Sequence, residues 1–120
     1  MQERRKFVRL DTRLEISVTE VPGAPARKAV SKNLSGGGLC LVTEKEAPPG
    51  TQLQVAMKLP EQEQPVTFTA QVVWCEPYEI IGKGHRHRGV EMGARFVDIS
   101  PKDYQAILQH VILSLKTPRQ

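Results

Sequence analysis

The chain is poor in aromatic side chains. Its 120 residues include one Trp, two Tyr and three Phe. A surface that stacks many successive bases needs more rings than that, above all when several are committed to a core. No apolar run comes near the roughly 18 residues of a membrane-spanning helix, so membrane insertion is not expected. The start, MQERRKFVRLD, is basic but lacks an apolar stretch, so it does not read as a secretion signal and a cytoplasmic location is expected. Only two cysteines occur, Cys40 and Cys75, and they form no CxxC pair. Both fall in strand-like segments and read as reduced thiols. Catalytic patterns are also missing. No Ser-His-Asp, Cys-His or paired-carboxylate arrangement stands out, and there is no Walker-type phosphate loop, so an enzyme is not expected. His85 and His87 flank Arg86 in what reads as a polar, solvated hairpin loop. His110 and Cys75 show no ligand spacing to them, so no metal site is expected.

What remains is ordinary globular material: 39% hydrophobic and 25% charged residues, enough for one core. The net charge of +4 is unevenly placed. Arg4, Arg5, Lys6, Arg9 and Arg13 stand against only Glu3 and Asp11, so most of the surplus lies in the first thirteen residues. A cluster at one end suits a compact anion better than a long polyanion, which favours a stripe across a fold.

Residues 1–9 read as a flexible basic arm anchored only by Phe7 and Val8. From Leu14 a period of two begins, with Leu14, Ile16 and Val18 alternating with polar residues. Val21 to Pro25 is a turn. A second strand is predicted over 27–34, and Leu39 to Val42 reads as a covered strand. Leu53, Val55, Met57 and Leu59 alternate with polar residues, and so do Val66, Phe68, Ala70, Val72 and Trp74, then Val90, Met92, Ala94 and Phe96. Six strands with Pro/Gly punctuation predict a mainly β protein, a small six-stranded antiparallel barrel over 12–98. The period then changes. Ser100 is an N-cap candidate, Pro101 fits the first helical position, and Tyr104, Ile107, Leu108, Val111, Ile112 and Leu115 follow helical spacing. An amphipathic helix over 101–116 should lie on the barrel and cover one opening. The whole reads as a single domain.

Two short elements carry chemistry. Arg5-x-x-x-Arg9, preceded by Arg4, is by itself compatible with a solvated tail. Asn33-x-Ser35-x-x-Gly38 ends a strand with two short hydrogen-bonding side chains and a run of glycines that lets a ligand approach the backbone. Together, in this order and on this strand pattern, they resemble the signature of the PilZ family, RxxxR followed by [D/N]xSxxG. Gly93-Ala94-Arg95-Phe96 is similar to that family's closing strand, and the resemblance covers essentially the whole chain. It implies a receptor barrel that binds cyclic di-GMP, with Arg5, Arg9, Asn33, Ser35 and Gly38 as ligand-binding residues; the adjacent Arg4 reads as a third arginine contact.

The chemistry of the ligand agrees. Cyclic di-GMP is a compact dianion with two guanines. A guanidinium fork matches the O6/N7 edge of guanine, pairs with phosphate oxygens and stacks on purine faces, where lysine offers charge alone. Gly37 is a further candidate through its backbone. Trp74 either offers the ligand an apolar wall or, as its alternation with Val72 and Ala70 favours, packs in the core. Arg95 points away from the Val90–Phe96 face, toward ligand or solvent. Two other classes compete. One is an adaptor of the same fold that binds a protein partner without nucleotide, against which the intact motifs argue. The other is a nucleic-acid-binding barrel, against which the few aromatics and the clustered charge argue. A receptor of this kind would also act on a protein effector that the sequence does not identify.

Overall fold

The computed structural model describes residues 9–20, 25–82 and 84–116. It is mainly strands: β1 (Arg9–Glu20), β2 (Arg27–Ser35), β3 (Gly38–Thr43), β4 (Gln52–Met57), β5 (Val66–Gly82) and β6 (His85–Ile99), followed by helix α1 (Pro101–Lys116). All pairings are antiparallel, and the strands close into a barrel in the order β1-β2-β3-β6-β5-β4. Closure is made by β1 on β4, from Ile16 opposite Met57 to Glu20 opposite Leu53.

The period of two explains the core. Ile16 and Val18, Leu39 and Leu41, Leu53, Val55 and Met57, Val66, Phe68, Ala70 and Val72, and Val90, Met92 and Ala94 all turn inward and are buried together. Closure pairs β1 with β4, the two ends of the strand order, and the interior is filled by side chains. The helix starts as its sequence predicts: Ser100 Oγ accepts a hydrogen bond from the Asp103 N–H at 3.2 Å. Ile107 and Val111 then join the core.

Antiparallel connectivity fixes which features share an end of the barrel. The start of β1, the β2–β3 turn, the β4–β5 loop and the end of β6 fall at one end. The α1 helix follows β6 directly and spans this end, bonded to the β2–β3 turn through Tyr104, to the first residues of β5 through Asp103 and to the β4–β5 loop through His110. Glu20, Arg27, Thr43 and Lys45 form a polar cluster at the opposite end, where Arg27 lies 2.8 Å from Glu20. That hydrogen bond holds the Glu20 carboxyl below its ordinary range.

Three expectations are corrected. First, β1 begins at Arg9, not near Leu14, so Arg9 belongs to the barrel rather than to an arm over 1–9. Second, the polar loop around His85 and His87 is strand. β5 and β6 run on as a long two-stranded ribbon in which Tyr78 pairs with Gly89 and Gly82 with His85. β4 accompanies β5 only from Val66 to Gln71, so the ribbon has solvent on both faces and no alternation to advertise it. Third, Ile112 is half exposed, and His110, only 5% exposed, takes a place on the buried face of α1. Its Nδ1 lies 2.8 Å from the Glu61 carboxylate.

Candidate functional site

The β2–β3 turn is built by its own side chain. Ser35 Oγ accepts the Gly37 N–H at 3.2 Å and donates to the Gly38 carbonyl at 3.4 Å. A serine hydroxyl bonding two residues on is a local turn-former. The turn is also tied from outside. The Gly37 carbonyl accepts the Phe96 N–H of β6 at 3.1 Å, and the Gly36 carbonyl accepts the Tyr104 hydroxyl of α1 at 2.8 Å.

Gly38 is glycine for a reason the sequence does not suggest. Its φ is not positive. It pairs with Arg95 of β6, and a Cβ there would overlap the Ala94 carbonyl oxygen and crowd the Arg95 Cα. The missing side chain lets β3 approach β6.

Register then assembles the patch. Arg9 stands opposite Ser35, and Asp11 opposite Asn33. The last residue of the first motif therefore pairs directly with the serine of the second. On the other side of the turn, Gly38 faces Arg95 and Arg95 faces Gln71, giving one transverse row across five strands: Arg9, Ser35, Gly38, Arg95, Gln71. The Arg95 guanidinium donates to Gln71 Oε1 at 2.6 Å. A second row runs Asn33, Cys40, Gly93, Trp74. A bulge at Lys32 precedes it, between the Ser31–Leu41 and Asn33–Cys40 pairs. Asn33 is only 8% exposed, so it offers an edge rather than a whole amide.

The alternation that favoured a core position for Trp74 fails at a second bulge. Val72 pairs with Ala94 but Trp74 pairs with Gly93, leaving Val73 as the extra residue. One inserted residue reverses the facing of everything beyond it. Trp74 therefore lies outside, 39% exposed, with its indole over Gly93 in the space a Cβ would need. Next to this row, Lys32 and Cys40 both hydrogen-bond Glu91, at 2.9 and 3.2 Å. The Lys32 bond, then that of Cys40, holds the Glu91 carboxyl below its usual range.

Asn33, Ser35, Gly37, Gly38, Arg95 and Trp74 thus lie in one region at the α1 end of the barrel, and the backbone of Arg9 joins them. Arg4 and Arg5 lie outside the described residues. His85 and His87 are far along the ribbon, at the other end of the barrel. Among the described residues no three His, Cys, Asp or Glu side chains are placed to hold a metal ion, and no helix is long and apolar enough to cross a membrane. A groove of about 670 Å³ lies between the ribbon and the outer wall, lined by Lys28, Val30, Val42, Lys58, Tyr78 and Arg88 among others, and no motif residue borders it. Sequence reasoning missed two members of the patch. Gln71 is one polar residue among many on an alternating strand, and Tyr104 sits in an apolar helical stripe that hides its hydroxyl.

The PilZ domain profile matches residues 3–113. The chain belongs to the PilZ domain family. No curated protein matches the sequence. Among solved structures, this PilZ domain resembles the inhibitor of motility MotI/DgrA of Bacillus subtilis, with a TM-score of 0.77 and 24% identity over 99% of this chain and 55% of that one. It resembles the PilZ domain of Escherichia coli YcgR, solved with cyclic di-GMP, with a TM-score of 0.73 and 22% identity over 95% and 92% of the two chains. It also resembles the K. pneumonia MrkH–cyclic di-GMP complex, with a TM-score of 0.74 and 17% identity over 98% and 56%. The chain thus spans about half of MotI and MrkH and nearly all of the YcgR domain. At these identities the likeness is one of fold.

Proposed function

We propose that this PilZ domain is a cytoplasmic receptor for cyclic di-GMP, acting by binding rather than catalysis. The observation that carries this reading is the register that sets Arg9, the last residue of the first motif, opposite Ser35 of the second, beside Gly38 and Arg95. In this reading Arg5 and Arg9 engage the guanine edges and phosphates from one side, with Arg4 as a third contact. Asn33, Ser35 and the Gly37–Gly38 backbone meet the ligand from the barrel side. Trp74 supplies an apolar wall, and Arg95, steadied by Gln71, adds positive charge. No metal takes part. A family with cyclic di-GMP-bound members of the same fold, such as the YcgR domain, supports the choice of ligand.

The barrel side is an outer wall, and the groove beside the ribbon lies away from the motif residues. A compact dianion lying there needs cover from elsewhere. We therefore propose that the Arg-rich segment before β1 orders over the ligand, creating a composite surface that a protein effector reads.

Calorimetric titration of the whole chain with cyclic di-GMP tests the receptor reading. Arg5→Ala and Arg9→Ala should each weaken binding ten- to hundredfold, about 1–3 kcal/mol, with Lys recovering only part. Parent-like affinity in Arg9→Ala would remove that residue from the site, and no binding by the parent protein would leave the adaptor reading in place.

A further inference from the structure

The ligand turn and the C-terminal helix are physically joined. Tyr104 lies in the first turn of α1. Its hydroxyl crosses to the Gly36 carbonyl at 2.8 Å, at the centre of the Ser35–Gly38 turn. Its ring meets Phe96 edge-on, with centroids 6.2 Å apart. Phe96 in turn donates its backbone N–H to the Gly37 carbonyl and packs edge-on against Phe68. Two adjacent carbonyls of the turn are thus held by two residues eight apart, one on β6 and one on α1. The anchor at the helix end is firm: Ser100 caps the helix, the Tyr104 N–H bonds the Ser100 carbonyl at 2.9 Å, and Asp103 accepts the Thr67 N–H at 3.4 Å.

From this geometry we infer that Tyr104 is a positioning residue of the ligand site and the link by which occupation of the β2–β3 turn reaches α1. The inference rests on the receptor reading above. A turn made of three glycines has many backbone conformations open to it, and each carbonyl tied down removes some of them. Tyr104 therefore holds the turn ready for the ligand, and its hydroxyl does so from the helix. Coupling of this kind is reciprocal: if the tie favours ligand, ligand favours the tie and so steadies the helix. The helix is suited to report the event, because Ile112, two turns beyond Tyr104, is 49% exposed and free to meet another surface.

Tyr104→Phe is the variant that decides, because it keeps the ring contact with Phe96 and deletes only the hydroxyl. In the parent protein, cyclic di-GMP should slow amide exchange both in the turn and over residues 104–111. In Tyr104→Phe the affinity should fall about five- to tenfold at nearly unchanged melting temperature. Turn amides Gly36 to Gly38 should exchange faster without ligand, and the ligand-induced slowing of the helix should disappear. Tyr104→Phe with parent affinity, or with helix exchange still responding to ligand, would overturn the inference. If the parent protein binds no cyclic di-GMP, the receptor reading fails separately. The positioning role is then judged on the ligand-free turn amides, and exchange there equal to the parent's would overturn it.

Discussion

At the scale of single residues, Gly38 and Ser35 answer different questions although they share a motif. Gly38 admits no Cβ because the β6 backbone occupies that space. Gly38→Ala should therefore destabilise the fold by about 1–3 kcal/mol, the usual range for overpacking, and any loss of ligand binding will be confounded with it. Ser35→Ala removes only the hydroxyl that braces the turn from within, so it should weaken binding several-fold with most of the stability kept. Thermal melts alongside the titrations separate the two, and a Gly38→Ala protein as stable as the parent would refute the close-approach argument. The motif spacing makes both positions visible in the sequence, but not their division of labour, which depends on a strand nearly sixty residues away. Glu91 is a second residue-scale case. Its carboxyl is held below the ordinary value of 4.5 by Lys32 and Cys40. A depressed carboxyl stabilises the folded chain at pH values above its unfolded value, and this contribution fades as pH falls through the lower folded value. The stability gap between the parent and Glu91→Gln should accordingly narrow as the pH drops below about 4.5, as denaturant melts across an acid series would show.

At the scale of elements, period was a good guide wherever one face met the core and a poor one wherever it did not. The inward residues of β1, β4, β5 and β6 and the cap of α1 follow directly from alternation and helix-start chemistry. The ribbon from Glu76 to Arg88 leaves no mark in the period because its described residues are mostly exposed, and its charged residues read as a loop. Pro77 stands where β4 no longer accompanies β5, and a strand with one free side tolerates a residue without an N–H. The Trp74 bulge was invisible for a different reason: a single extra residue leaves no compositional mark while reversing the facing of the strand. The helix offers the test at this scale. Ser100→Ala deletes the hydroxyl that accepts the Asp103 N–H, and should cost about 1 kcal/mol, measured by denaturant unfolding. If the cap also sets the tie from α1 to the β2–β3 turn, the same variant should loosen ligand binding modestly; a loss of stability with no change in affinity would confine the cap's role to the helix.

At the scale of the whole molecule, the proposal that residues before β1 close over the ligand makes a quantitative demand. Ordering the backbone from Arg4 to Val8 costs about 1–2 kcal/mol per residue, or about 5–10 kcal/mol in all. Two bidentate arginine contacts at about 1–3 kcal/mol each do not offset that alone. Relief of repulsion among Arg4, Arg5 and Arg9 by a dianion, and apolar contact by Phe7 and Val8, have to contribute the rest. Two consequences follow from that balance. Affinity should fall with added salt more steeply in the parent than in Arg4→Ala, because fewer charges remain to be neutralised in the variant. Amide exchange of residues 3–8 should be fast without cyclic di-GMP and slowed with it, and the slowing should be lost in Arg5→Ala. Equal protection with and without ligand would mean that the segment is already in place before the ligand arrives. The signal would then have to leave the site through the β2–β3 turn and α1, where Tyr104 already makes the connection.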